Sequence, residues 1–238
     1  MTTASAKVEE YLETIYNMEM EGEKVIGARL AEKFRVKAPT VTEMLQRLEK
    51  ASYITLDTQR HVTLTEEGVE LAESVLRRHR LTERFLTDML GMQWHEVHEE
   101  ACRLEHYISG AVEERVITTL AHPTTCPHGN PIPGYVPDAR GYLARVGARR
   151  LTDTDGEPMH ILCVSEVIED EEETIRAMHE RGLMPGREIS WHRDNPESGL
   201  VHLTDGQIIR ILNPLAHALW VIPIDAEFPP GAAGAPTR

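Results

Sequence analysis

The stretch IGARLAEKFRVKAPTVTEMLQRLEKASYITLDTQRHVTL, residues 26–64, decides the fold. Ile26, Leu30, Ala31 and Phe34 recur at helical spacing, and so do Val41, Met44, Leu45 and Leu48. A few residues around Arg35 to Pro39 separate the two runs, and Pro39 suits a first helical turn, where its missing N–H is no loss. Tyr53-Ile54-Thr55-Leu56 and His61-Val62-Thr63-Leu64 are β-rich runs flanking the polar Asp57-Thr58-Gln59-Arg60, which signals a hairpin. Two short helices with a tight connection, then a β-hairpin, is the layout of a winged helix-turn-helix. The region is also locally basic: residues 26–50 set Arg29, Lys33, Arg35, Lys37, Arg47 and Lys50 against Glu32, Glu43 and Glu49.

Outward from this unit the pattern stays helical. Val8, Leu12, Ile15 and Tyr16 predict an amphipathic helix over 7–20 that ends at Gly22. Thr65, with Glu66 and Glu67 behind it, opens a long helix to about Leu90, because a hydroxyl can cap and acids favour the positive end of the dipole. Further helices are expected over 94–108 and 111–120. Residues 122–141 hold Pro123, Pro127, Pro131, Pro133 and Pro137, a density that reads as a structured loop leading to a linker. Beyond it come short apolar runs (Met159–Val164, Ile189–Trp191, Leu200–Leu203, Ile208–Leu212, Ala218–Ile224) and one helical stretch over 172–181, the pattern of a small β-barrel. The expected fold is mainly α with a C-terminal β domain. Its parts are a winged helix-turn-helix over 1–72, a helical domain over 73–141, a linker over 142–153, a small β-barrel over 154–228 and a disordered tail over 229–238.

The 238 residues carry a net charge of −14, which argues against binding nucleic acid through the whole surface. The charge is graded: residues 151–227 hold 16 acidic and 5 basic side chains, whereas residues 1–63 hold 10 and 9. A short N-terminal stretch could therefore face phosphates. No apolar run approaches the ~20 residues of a membrane helix, and the N-terminus lacks a signal peptide's pattern, so a cytoplasmic protein is expected. Three scattered cysteines, Cys102, Cys126 and Cys163, suit thiol chemistry in a reducing compartment.

The chemistry lies in His98-Glu99-Glu100-Ala101-Cys102-Arg103-Leu104-Glu105-His106. At ~100° per helical residue, His98, Cys102, Glu105 and His106 share one face, and two imidazoles, a thiol and a carboxylate are transition-metal ligands by type. One helix cannot close a coordination sphere. His79 and Glu83, at i and i+4 on the preceding helix, offer a second pair that an antiparallel packing would bring to His98, leaving Cys102, Glu105 and His106 as a separate site. A third candidate, His122-Cys126-His128, lacks a close pair of cysteines and reads as an ordinary loop.

The chain resembles the diphtheria toxin repressor family of metal-dependent transcriptional regulators over nearly its whole length. YLETIY, APTVTEMLQRLE, LTEEG, RRHRLTERFLTDMLG, VHEEACRLEH, CPHGNPIPG, GLMPG and DGQIIRI carry the resemblance, in that order. It implies a regulatory metal site from Glu10, Cys102, Glu105 and His106, and an ancillary site from His79, Glu83 and His98. It also implies that the helical domain over 73–141 serves dimerisation and metal binding and that the β-barrel over 154–228 is SH3-like, with two further ligands in iron-responsive members, at positions matching Glu166 and Glu169. The pattern is mixed, since Glu10 stands where the iron-responsive branch commonly has methionine, while Cys102 stands where manganese-responsive members replace the cysteine. Oxygen donors suit Mn(II) and sulfur suits Fe(II) or heavier metals, so Mn(II) or Fe(II), about two per subunit, is expected, with a lean to manganese.

The expected function is a repressor, not an enzyme, that binds palindromic operators as a homodimer when metal-loaded and controls metal uptake. It has no membrane and no small organic substrate among its partners. Lys37, Ala38, Pro39, Thr40 and Glu43 in the first half of the recognition helix are the expected DNA contacts, with Ala38, Pro39 and Thr40 toward bases and Lys37, Gln46, Arg47, Lys50 and the wing residue Arg60 near phosphates. Two alternatives stay open, a metal-independent winged-helix regulator and a metalloenzyme.

Overall fold

The computed structural model describes residues 5–168 and 171–226. Its N-terminal unit comprises α1 (Ala6–Met20), α2 (Gly27–Lys33), α3 (Ala38–Lys50), β1 (Ile54–Leu56) and β2 (Val62–Leu64). The apolar stripe of α1, from Val8 to Ile15, packs on Leu30, Val41, Leu45, Leu48, Ile54 and Val62, and Phe34 stacks on Tyr11 with ring centroids 4.0 Å apart. Pro39 sits in the first turn of α3. The strands pair antiparallel in the register Ile54↔Leu64 and Leu56↔Val62. Asp57 closes their turn by accepting from the N–H groups of Gln59 and His61, both at 2.8 Å, while Arg60 takes a φ of 64°.

The second unit is built on α4 (Glu66–Asp88), followed by α5 (Val97–Leu104) and α6 (Gly110–Thr119). The Thr65 hydroxyl caps α4, accepting from the Gly68 N–H at 3.1 Å. Gly68 is dictated by packing: a Cβ there would stand 2.0 Å from the Tyr53 carbonyl oxygen, so α4 can cross the hairpin this closely only with glycine. The helix expected over 94–108 is shorter than its periodicity suggests. It begins at Val97, and after Leu104 the chain tightens into a 3₁₀ turn, Glu105–Tyr107.

The C-terminal unit contains α7 (Tyr142–Arg145), β3 (Arg149–Arg150), β4 (Pro158–Val164), α8 (Glu171–Glu180), β5 (Glu188–Asn195), β6 (Ser198–Leu203), β7 (Ile208–Leu212), α9 (Asn213–His217) and β8 (Leu219–Pro223). The strands form one antiparallel sheet in the order β3-β8-β4-β5-β6-β7. Its edges, β3 and β7, are not paired with each other among the described residues, so the sheet is open where a closed barrel was expected. With only two residues, β3 offers too short a ladder to reach round. Residues 142–153, read from sequence as a linker, carry α7 and β3, with Tyr142, Leu143, Arg150 and Leu151 buried. The expected tail lies outside the described residues.

Both faces of β4 are covered. Met159 and Ile161 join Trp191, Val201, Leu219 and Val221 in the sheet's own core, whereas Leu162 and Cys163 meet Met20 of α1 and Tyr142 of α7. The loop at Gly129 (φ 87°) lies so close on β4 that a Cβ there would come within 2.1 Å of the Leu162 carbonyl oxygen. Trp94, from the α4–α5 connection, enters the C-terminal core. The α1 end, the α4 centre and the C-terminal sheet thus converge on one region. No helix among the described residues is long and apolar enough to cross a membrane.

Candidate metal centre

The centre of α4 carries four buried ionisable residues, His79, Arg80, Glu83 and Arg84, where a core helix would carry leucines. Buried charge is costly unless paired, and here each group finds partners from another element. Three imidazoles converge on one oxygen of Glu83: His79 Nε2 at 3.1 Å, His128 Nδ1 at 3.1 Å and His98 Nδ1 at 3.3 Å. The other oxygen, Oε2, is buried without a hydrogen-bond partner. His79 Nδ1 lies 2.5 Å from Glu105 Oε2, and Cys102 Sγ lies 3.6 Å from His98 Nε2 and 4.0 Å from His79 Nδ1.

His79, Glu83 and His98, read from sequence as one set, are therefore in contact; of the other set, Glu105 meets His106, while Cys102 meets His79 and His98. The two sets are not separate. His79 touches Glu105, and His106 Nε2 lies 3.2 Å from Glu105 Oε1, so the donors form one continuous run across α4, α5 and the 3₁₀ turn. From α1, Glu10 lines a cavity of about 190 Å³ together with Glu13, His98, Cys102, Glu105 and His106. The α1 carboxylate that reaches His106 is Glu9, whose Oε2 is 2.7 Å from Nδ1. One turn on, Glu13 groups with His79 and Glu105, their ligand atoms within 4.8 Å of one another.

Three further donors, Cys126, His128 and Glu171, join from segments whose spacing does not mark them as ligands. Cys126 and His128, read from sequence as part of an ordinary loop, are buried and group with Glu83 within the same 4.8 Å. Their partner stands 43 residues upstream on α4, so no local spacing rule reveals it. His122 is exposed and lies against Tyr135 instead. From the C-terminal domain, Glu166 is committed to Arg80, with Oε2 2.7 Å from Nη2 and Oε1 3.3 Å from Nε. Glu169 lies outside the described residues. Glu166 and Glu171 both line the cavity, and Glu171 Oε1 lies 3.5 Å from His98 Nε2.

The electrostatics follow from this crowding. Burial opposes the charged form of His79, but Glu83, Cys102 and Glu105 outweigh it and raise its pKa well above the ordinary value. His98 is raised likewise by Glu171, Cys102 and Glu83 against the pull of burial. Glu83 is pushed well below the carboxylate range by His128 and His79, despite its burial. Burial would raise the Cys102 thiol, yet the two imidazoles bring it down to about 7. Burial next to Glu105 raises Glu13 well above its usual range. Without a cation, the cluster balances its carboxylates with protons on histidine. Imidazole, carboxylate and thiolate in this number, with an orphaned carboxylate oxygen among them, form a donor set that fits a divalent transition metal.

The nine expected DNA contacts share one property. Lys37, Ala38, Pro39, Thr40, Glu43, Gln46, Arg47 and Lys50 are all exposed on α3 and its N-cap, and Arg60 is exposed at the hairpin tip. The buried side of α3 is Val41, Leu45 and Leu48.

Comparison with known proteins agrees with this geometry. Residues 3–62 match the model described as iron dependent repressor, N-terminal DNA binding domain, and residues 65–134 that described as iron dependent repressor, metal binding and dimerisation domain. The chain is 36% identical over 222 residues to the iron-dependent repressor IdeR of Mycobacterium tuberculosis, covering 90% of this chain and 95% of that protein. With the diphtheria toxin repressor of Corynebacterium diphtheriae it shares 33% identity over 219 residues, covering 90% and 95%. Among solved structures, a manganese-dependent transcriptional repressor in complex with manganese superposes with a TM-score of 0.77 at 29% identity, covering 91% of this chain and all of that one. The manganese regulator SloR gives a TM-score of 0.73 at 29% identity, covering 90% and 97%. The chain belongs to the diphtheria toxin repressor family of iron-dependent repressors.

Proposed function

We propose that this protein is a transcriptional repressor, working in the cytoplasm, that binds palindromic operator DNA as a homodimer when loaded with Mn(II) or Fe(II) and so controls metal uptake. One observation carries the reading: α1, a core helix of the winged unit, presents Glu9, Glu10 and Glu13 to ligand-type side chains on α4, on α5 and in the 3₁₀ turn. A cation held by both sets ties the DNA-binding unit to the helical unit. In a two-fold dimer the two recognition helices must lie about one DNA turn apart, and a loose ensemble is penalised by the small fraction that fits.

Glu10, Cys102, Glu105 and His106 are proposed to hold one metal, with Glu9 or Glu13 adding a carboxylate. His79, Glu83 and His98 are proposed to hold the other, extended by Cys126, His128 and Glu171. When bound, the metal supplies charge neutralisation and a directional cross-link. The chain's own part is to hold Glu83 ionised and to keep α1 against α5. Oxygen donors outnumber sulfur here, which suits Mn(II), while two thiols accommodate Fe(II). The domain division 1–72, 73–141 and 154–228 is proposed on the same basis, with Lys37 to Lys50 of α3 and Arg60 of the wing facing the operator.

Anisotropy measurements of a family-type palindrome with Mn(II), Fe(II) or chelator test the reading. Tight binding only with metal, lost in Glu10→Ala and Glu13→Gln dimers that remain folded, is the expected result. Operator binding that persists in chelator would overturn it in favour of a metal-independent regulator.

A further inference from the structure

Lys33, the last residue of α2, reaches out of the winged unit into the C-terminal domain. Its ammonium donates to the main-chain carbonyls of Glu166 at 2.9 Å and Ile168 at 2.8 Å, and to Glu171 Oε2 at 3.2 Å. An ammonium has three donors, and three acceptors from one segment of the other domain use them all. The second oxygen of the same Glu171 carboxylate faces His98 Nε2 at 3.5 Å. Lys33 and Glu171 are 20% and 14% exposed, so solvent competes only weakly for the contact. An exposed ion pair fixes little. Here two of the three acceptors are carbonyls flanking the start of α8, so the contact fixes the position of a segment as well as pairing a charge.

We propose that Lys33 is a positioning residue for the metal centre: α2 of the DNA-binding unit, through Lys33, orients the Glu171 carboxylate toward His98. This rests on the metal-centre reading above and adds a second route between metal and DNA that does not pass through α1. Residues that hydrogen-bond a ligating carboxylate set its orientation, and losing them typically costs 10–100-fold in metal affinity. Because the contact joins two units, the coupling is reciprocal. Whatever shifts α2 changes metal affinity, and metal at His98 and Glu171 holds α2 by the same factor.

The full chain, stripped of metal, is titrated with Mn(II) by calorimetry, alone and with operator DNA. Lys33→Met keeps the stem and removes the donors. Lys33→Arg keeps the charge, but its planar fork cannot converge on the same three acceptors. Both are expected to weaken one class of Mn(II) site by about 10–100-fold and to reduce the DNA-induced tightening of Mn(II) by a like factor. Glu171→Gln is expected to do the same, with the Lys33→Met, Glu171→Gln double variant no weaker than Glu171→Gln alone. Wild-type Mn(II) affinity in Lys33→Met, full rescue by arginine, or independent losses in the double variant would each overturn the proposal while leaving the metal centre standing. A wild-type chain that takes up no Mn(II) or Fe(II) would overturn both.

Discussion

Glu83 is the residue on which the centre depends. A carboxylate in the middle of a core helix is stable only because His79, His98 and His128 bring compensating charge from α4, α5 and the proline-rich loop. Glu83→Gln keeps the shape and removes the charge, so it is expected to lower metal affinity at least tenfold and to cost about 1–3 kcal/mol of stability through loss of the anion that the three imidazoles share. Metal titration and urea unfolding of the variant check this. The same residues set a pH dependence. Loading must displace protons from His79 and His98, whose pKa values are raised, and from Cys102, near 7. Apparent Mn(II) affinity is therefore expected to climb between pH 6 and 8 by ~tenfold per unit for each proton released. The contribution of His79 and His98 to the stability of the metal-free protein runs the other way. A histidine whose folded pKa is raised contributes stability that is fully present below its unfolded value of ~6.5 and is lost as pH rises through the folded value. Thermal unfolding in chelator at pH 6 and 8 tests the sign.

At the scale of elements, α4 carries the architecture, since its first turn locks the hairpin and its middle supplies the buried ligand-type side chains. Gly68→Ala puts a methyl where the Tyr53 carbonyl stands, 2.0 Å away, and neither backbone can retreat without breaking the cap or the wing. A loss of about 3 kcal/mol, at the upper end for overpacking, is expected in chemical denaturation. The helices of the first two units, the hairpin and the start of α3 were legible because their signals are local: apolar spacing, Pro39, the Thr65 cap, the Asp57 turn; α7 and α9, too short to show a period, were not. Where periodicity misled was α5. The donors on one face continued a helical pattern through His106, but the chain tightens at Glu105 to bury that carboxylate against His79. Of the three glutamates facing the centre from α1, spacing could not choose between Glu9, Glu10 and Glu13, since each lies within one turn of the next.

For the whole molecule, the surface says how it assembles. Among the described residues, eight large hydrophobics are well exposed, and Met89, Leu90, Leu104, Tyr107 and Val112, five of them, fall on the helical unit between α4 and α6. Exposed apolar side chains concentrated on one unit mark an interface. Leu104→Glu with Tyr107→Glu is expected to shift the protein from dimer to monomer in sedimentation velocity and to weaken operator binding, with metal still taken up. The acidity of residues 151–227 lies in the C-terminal unit, which keeps the basic face of α3 the favourable side for phosphates.

The winged unit, the long α4 and the segment rich in ligand-type side chains are readable from the sequence alone, because caps, turns and amphipathic periods act over a few residues and are written in adjacent letters. Only the tertiary structure decided which donors meet. Cys126 and His128 reach Glu83 from a loop more than 40 residues away, Glu166 goes to Arg80, Glu171 comes to His98, and Lys33 crosses from one unit to another. These pairings depend on how α1, α4 and the C-terminal sheet pack around β4, and packing is a property of the whole buried surface that no local spacing encodes.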